Sequence, residues 1–123
     1  MNPATINFIK EKGGLKAIVI SHPHFYTTHL EWASVFGCPV YMCIGDEMWL
    51  SRKDQNDVRR FVGGVIPIEE IGGEAKMIQC GGHFEGSSVL WWDRKLFIAD
   101  TFMSVPVSLT APSFLSNCWN LRR

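Results

Sequence analysis

The stretch Leu15-Lys16-Ala17-Ile18-Val19-Ile20-Ser21-His22-Pro23-His24-Phe25-Tyr26-Thr27-Thr28-His29 decides how this chain is read. Its first half, Ala17 to Ile20, is a continuous apolar run between Gly14 and Pro23, and predicts a strand buried on both faces in a parallel or mixed sheet. Its second half sets three of the chain's four histidines just past the end of that strand. Residues two apart in an extended segment point to one side, so His22 and His24 can aim both imidazoles at one point, which is how a metal is held. The fourth histidine, His83, lies in Gly81-Gly82-His83-Phe84-Glu85-Gly86-Ser87, a loop flexible enough to bring its ring close to another group.

Outward from this stretch, Pro3 to Lys12 has helical spacing, with Ile6, Ile9 and Phe8 on the inner face, Pro3 near the start and Gly13-Gly14 as the stop. Thr28-His29-Leu30-Glu31 fits a capping box and predicts a helix to Phe36, ended by Gly37. Pro39 to Cys43 is a second strand candidate, followed by a helical turn over Asp46 to Leu50. The charged stretch Arg52 to Arg60 reads as surface, a helix with a solvated face. From Gly63 onward short apolar segments, Val65 to Ile68, Lys76 to Cys80, Ser87 to Trp92 and Leu96 to Ala99, alternate with Gly pairs or Asp93-Arg94 and predict strands and a hairpin. This order predicts an α/β fold, a layered sheet of mixed strands with flanking helices. There is no internal repeat, and the tail 104–123 has no clear period.

With 123 residues, 46% hydrophobic and 20% charged, the chain has room for one core that buries roughly two thirds of its unfolded surface. Its formal net charge is zero and no Lys/Arg cluster exceeds two adjacent residues, so nucleic acid and anionic membranes are not expected partners. The apolar runs are strand-sized, and the N-terminus lacks a basic region followed by an apolar stretch, so a soluble, cytoplasmic protein is expected. Cys38, Cys43, Cys80 and Cys118 show no C-x-x-C spacing and read as reduced thiols. Cys38 and Cys43 stand at an odd separation across a strand, which favours core packing over joint metal ligation.

A metal site needs donors that converge from strand ends, and the candidates are His22, His24, His83 and Asp100, the last closing Leu96-Phe97-Ile98-Ala99-Asp100. Three imidazoles and a carboxylate suit zinc, with ferrous iron as the alternative. Glu85 is either an acid or base near His83 or a solvent-facing loop residue.

In this order the motifs resemble those of the metallo-β-lactamase-fold hydrolases. In that family an apolar strand ends in H-x-H-x-D-H, a Gly-His-x-x-Gly-Ser loop supplies a third ligand, and a strand ending in Gly/Ala-Asp supplies a carboxylate. His22 and His24 match the first motif, Gly82 to Ser87 the second, and Ala99-Asp100 the third. The resemblance implies a partial αββα domain over 1–123 with its motif-bearing core at about 15–103. It also implies a metal-activated water that attacks an ester, lactone, thioester, lactam or phosphodiester of a small molecule.

Tyr26 and Thr27 stand where the family carries Asp and His, so one ion is expected rather than two. His29 either substitutes as a ligand or faces away from the pocket at the helix start. Tyr26 is a hydrogen-bond donor in the pocket or a packed ring; with Asp100, ligand or outer acceptor, it is a candidate catalytic residue. The chain matches only part of a family domain, which predicts an uncovered apolar sheet face that a homodimer or partner chain would cover, with Trp91-Trp92 as its first candidate. The alternative for that pair is one ring inward and one outward. The alternative for the whole chain is an inactive member acting at most as a binding module.

Overall fold

In a computed structural model of the chain, residues 1–101 are described; Cys118 and the tail 104–123 lie outside them. The elements run α1 (Pro3–Glu11), β1 (Ile18–Val19), α2 (His29–Phe36), β2 (Val40–Cys43), β3 (Arg59–Val62), β4 (Val65–Pro67), β5 (Lys76–Gln79), β6 (Ser88–Trp92) and β7 (Lys95–Phe97), with short 3-10 turns between them. The fold is mixed α/β. One sheet, ordered β1-β2-β3, is all parallel, and the other, ordered β4-β5-β6-β7, is all antiparallel.

The central strand β2 ties the layers together. All four of its residues are buried, and its side chains alternate between two cores. Val40 and Met42 pack with Ile20 and with Ala33 of α2. Tyr41 and Cys43 pack with Ile68, Ala75 and Met77 of the antiparallel region. The layer order is therefore helix, parallel sheet, antiparallel sheet. Full burial of Val40 and Met42 contributes about 1.5–3 kcal/mol each.

Local chemistry explains the element ends. Asn2 caps α1 by accepting from the Ala4 amide, and Gly13 and Gly14 follow at positive φ. Gly37 ends α2 in the left-handed conformation. The two-residue turn Asp93-Arg94, both at positive φ, closes the β6–β7 hairpin with the backbone sense that matches strand twist.

Several expectations are corrected. The stretch Arg52 to Arg60 forms no helix: its end is β3, and Arg59 turns inward, 8% exposed, to bond α2. The run Ala17 to Ile20 packs on both faces, Ala17 and Val19 against one core and Ile18 and Ile20 in the other, but β1 is only partly buried at the edge of its sheet, and β2 takes the central place. Phe8 is 59% exposed, so α1 does not turn it inward. Thr28 precedes α2 as expected, yet its hydroxyl makes no capping bond and Glu31 pairs with Arg52 instead of reaching back. Trp91 and Trp92 do not divide inward and outward, since 38% and 45% of their surfaces are exposed, beside the exposed Leu96 and Phe97. Cys38 and Cys43 are buried free thiols and Cys80 an exposed one. Among the described residues no helix is long and apolar enough to cross a membrane.

Candidate metal centre

The two sheets meet at the end of β1. Past Val19 the backbone stays paired with β2 through the Ile20 amide, which donates to the Tyr41 carbonyl. Pairing then passes to the second sheet, because the Ser88 amide donates to the Ser21 carbonyl at 2.8 Å. His22 follows directly in extended conformation and is 2% exposed. His24 does not share its strand: it lies in the 3-10 turn Pro23–Phe25. The turn, and not strand alternation, folds the second imidazole back so that the ring centroids of His22 and His24 stand 5.0 Å apart.

His83 arrives from the loop between β5 and β6, with its ring centroid 5.1 Å from that of His22 and 4.9 Å from that of His24. Asp100 arrives from the 3-10 turn Ala99–Thr101 after β7, not from a strand end as the sequence suggested. Its Oδ2 lies 3.2 Å from His22 Nε2 and 3.7 Å from His24 Nδ1, while His83 Nε2 lies 3.5 Å from His24 Nδ1. One donor atom from each of the four residues falls within 4.8 Å of all the others. Tetrahedral zinc with nitrogens about 2.1 Å away spaces its donors roughly 3.4 Å apart. The cluster is thus of a size to hold a metal ion.

The donor chemistry fits a cation on a second count. His22 Nε2 is fully buried and makes no well-formed hydrogen bond, although the Asp100 carboxylate oxygen stands 3.2 Å away, an arrangement that an ion bound between them would satisfy. Ser21 Oγ stands 2.9 Å from His22 Nδ1; with the proton on Nδ1 the ring donates to Ser21 and presents Nε2 unprotonated to the cluster. Burial holds the His22 imidazole below its ordinary pKa, against the opposing pull of Asp100, and so favours the neutral ring with one nitrogen free of its proton. Phe84 stacks at 5.7 Å on His22, and Trp49 and Phe25 extend an aromatic wall beside it.

The other two candidates lie elsewhere. His29 is 5% exposed with both ring nitrogens engaged: Nδ1 donates to the Tyr26 carbonyl at 2.6 Å and Nε2 accepts from Arg59 Nε at 3.0 Å. The structure does not bring it to the cluster. Tyr26 packs against the core of α2 and β2, and its hydroxyl donates at 3.4 Å to the Asp46 carbonyl. Burial first, then the Asp46 carboxylate, push its phenol pKa up, so it stays protonated. Two contributors escaped the sequence reading. Ser21 was legible in principle, as a hydroxyl beside a ligand histidine; Asp46, whose carboxylate meets the His83 loop, carries no local signal because its partner is 40 residues away.

Fold and site together define a mixed α/β protein with a three-histidine, one-aspartate cluster of metal-binding dimensions. No protein-family model matches the chain. It is 35% identical over 94 residues to the uncharacterized protein YmaE of Bacillus subtilis (strain 168), a match that takes in 76% of this chain and 33% of YmaE. The chain thus spans about a third of the length of that relative. A solved structure described as "Indirect contributions of mutations underlie optimization of new enzyme function" superposes with a TM-score of 0.51, over 72% of this chain and 38% of that chain, at 16% identity. That likeness is one of fold alone.

Proposed function

We propose that the chain carries a metallo-β-lactamase-like hydrolytic centre that works with one metal ion, zinc in the first place and ferrous iron as the alternative. Its substrate is a small molecule with an ester, lactone, thioester, lactam or phosphodiester bond. The order of helix, parallel sheet and antiparallel sheet supports three layers of the αββα arrangement. The observation that carries the reading is the convergence of one donor atom each from buried His22 and from His24, His83 and Asp100 within 4.8 Å.

When bound, a divalent ion supplies Lewis acidity and a water acidified toward neutral pH. The residues supply the rest. Ser21 fixes the His22 ring, and Phe84, Trp49 and Phe25 set an aromatic wall beside the cluster. Asp100, with its side chain 41% exposed, has a carboxylate oxygen that can ligate or take a proton from a reacting water. A second ion lacks support, because His29 is clamped on Arg59 and Tyr26 is packed in the core.

That same inward turn of Tyr26 and His29 favours a second reading, a non-catalytic metal-holding module. Metal content of the purified protein and of His83→Ala, with turnover of an ester, lactam and phosphodiester panel, separates the two. Stoichiometric metal and turnover, both lost in His83→Ala, are expected. Metal without turnover favours the module, and wild-type protein without metal removes the hydrolase reading.

A further inference from the structure

The His83 loop is held from both sides. On one side the Ser88 amide reaches the Ser21 carbonyl, and Ser88 Oγ donates to the Gly86 carbonyl at 2.7 Å. On the other stands Asp46, in the 3-10 turn Ile44–Trp49 after β2. Its side chain is 1% exposed, and Oδ1 accepts from the Gly86 amide at 2.8 Å. Oδ2 is buried without a hydrogen-bond partner, a cost that a residue serving packing alone would not carry. Carboxylate and loop touch with nothing between them: a methyl group on Gly86 would sit 2.6 Å from Asp46 Cγ and 2.7 Å from Cys43 Cβ. The chain opposite is equally close, since a methyl group on Gly45 would lie 3.3 Å from the Gly86 nitrogen.

We propose that Asp46 is a positioning residue for His83: its buried carboxylate grips the Gly86 amide and so sets the distance of the loop, and of the imidazole three residues earlier, from His22 and His24. In its metal-binding arm the inference rests on the reading given above; its structural arm does not. Donor geometry in a metal site must hold to within about 0.5 Å, so a loop released at Gly86 loses the placement of His83 without losing the fold.

The test uses zinc affinity by competition with a chromophoric chelator, the visible spectrum of the cobalt-loaded protein, and imidazole carbon–proton NMR shifts of the metal-free protein. Asp46→Ala should weaken zinc by about 10–100-fold and alter the cobalt spectrum. Asp46→Asn, whose side-chain oxygen can accept the same bond, should stay within about threefold of wild type. Gly86→Ala, which keeps the carboxylate in the chain but drives a methyl group between it and the loop, should reproduce the loss if Asp46→Ala does not fold. In the metal-free protein the His83 resonances should move in Asp46→Ala and Gly86→Ala while those of His29 stay. Unchanged zinc affinity and unchanged His83 resonances in both variants overturn the proposal. Wild-type protein that takes up no zinc or cobalt removes the metal reading alone, and the His83 shifts then decide the positioning role.

Discussion

Two histidine regions, five residues apart from His24 to His29, are built to opposite purposes. At His22, His24 and His83 the ring nitrogens converge with Asp100, and one of them, buried, faces that carboxylate at 3.2 Å without a well-formed hydrogen bond. At His29 both nitrogens are spent, one on the Tyr26 carbonyl and one on the Arg59 guanidinium, which in turn donates to the Arg52 carbonyl. The residue type is the same and the burial of His22 and His29 nearly so. What distinguishes a candidate ligand from a structural clamp here is whether the second nitrogen is already spent on a protein hydrogen bond.

The contrast can be broken most directly by His22→Ala. It should abolish stoichiometric metal binding, an effect larger than the roughly 10–100-fold that outer partners control, and retention of metal by this variant would mean the cluster is not the site. His29→Ala should act the other way. It leaves the Arg59 Nε buried without an acceptor and a void beside it, costing about 2–4 kcal/mol in urea unfolding with zinc affinity unchanged. A parallel loss of metal would show the two regions to be one.

The smallest effect is on pH. Burial, the first cause, holds the folded His29 imidazole below its ordinary value, with Arg59 and Arg52 acting in the same sense and the Tyr26 carbonyl and Asp54 against it. The unfolded chain therefore binds more protons as pH falls past about 6.5. The stabilisation is complete above that value and is lost on acidification toward the folded pKa, at no more than about 1.4 kcal/mol per pH unit for each such group. Urea unfolding of metal-free protein between pH 5 and 8 should show this slope, shallower in His29→Gln. A profile that is flat, or that rises toward acid, contradicts a neutral His29.

Much of this was legible in the residues. Gly13-Gly14 and Gly37 mark true helix stops, Asp93-Arg94 a true hairpin turn, and the separated motifs of His22, His24, His83 and Asp100 do converge. Two residues, Arg59 and Asp46, went unread for one cause: each needed a partner distant in sequence. Arg59 looks like surface charge until His29 and the Arg52 carbonyl are seen around it. Asp46 looks like an acidic turn residue until Gly86 meets it. Period-two alternation gives His24 the right direction for the wrong reason, because it says nothing of a 3-10 turn that begins at the proline between the two histidines.

The four donors of the cluster are divided evenly between the layers: His22 and His24 follow the parallel sheet, and His83 and Asp100 belong to loops of the antiparallel one. Any ion they share would act as a rivet through both sheets. Its affinity then ceases to be a property of the site alone, because every fraction of binding free energy is also resistance to the sheets parting.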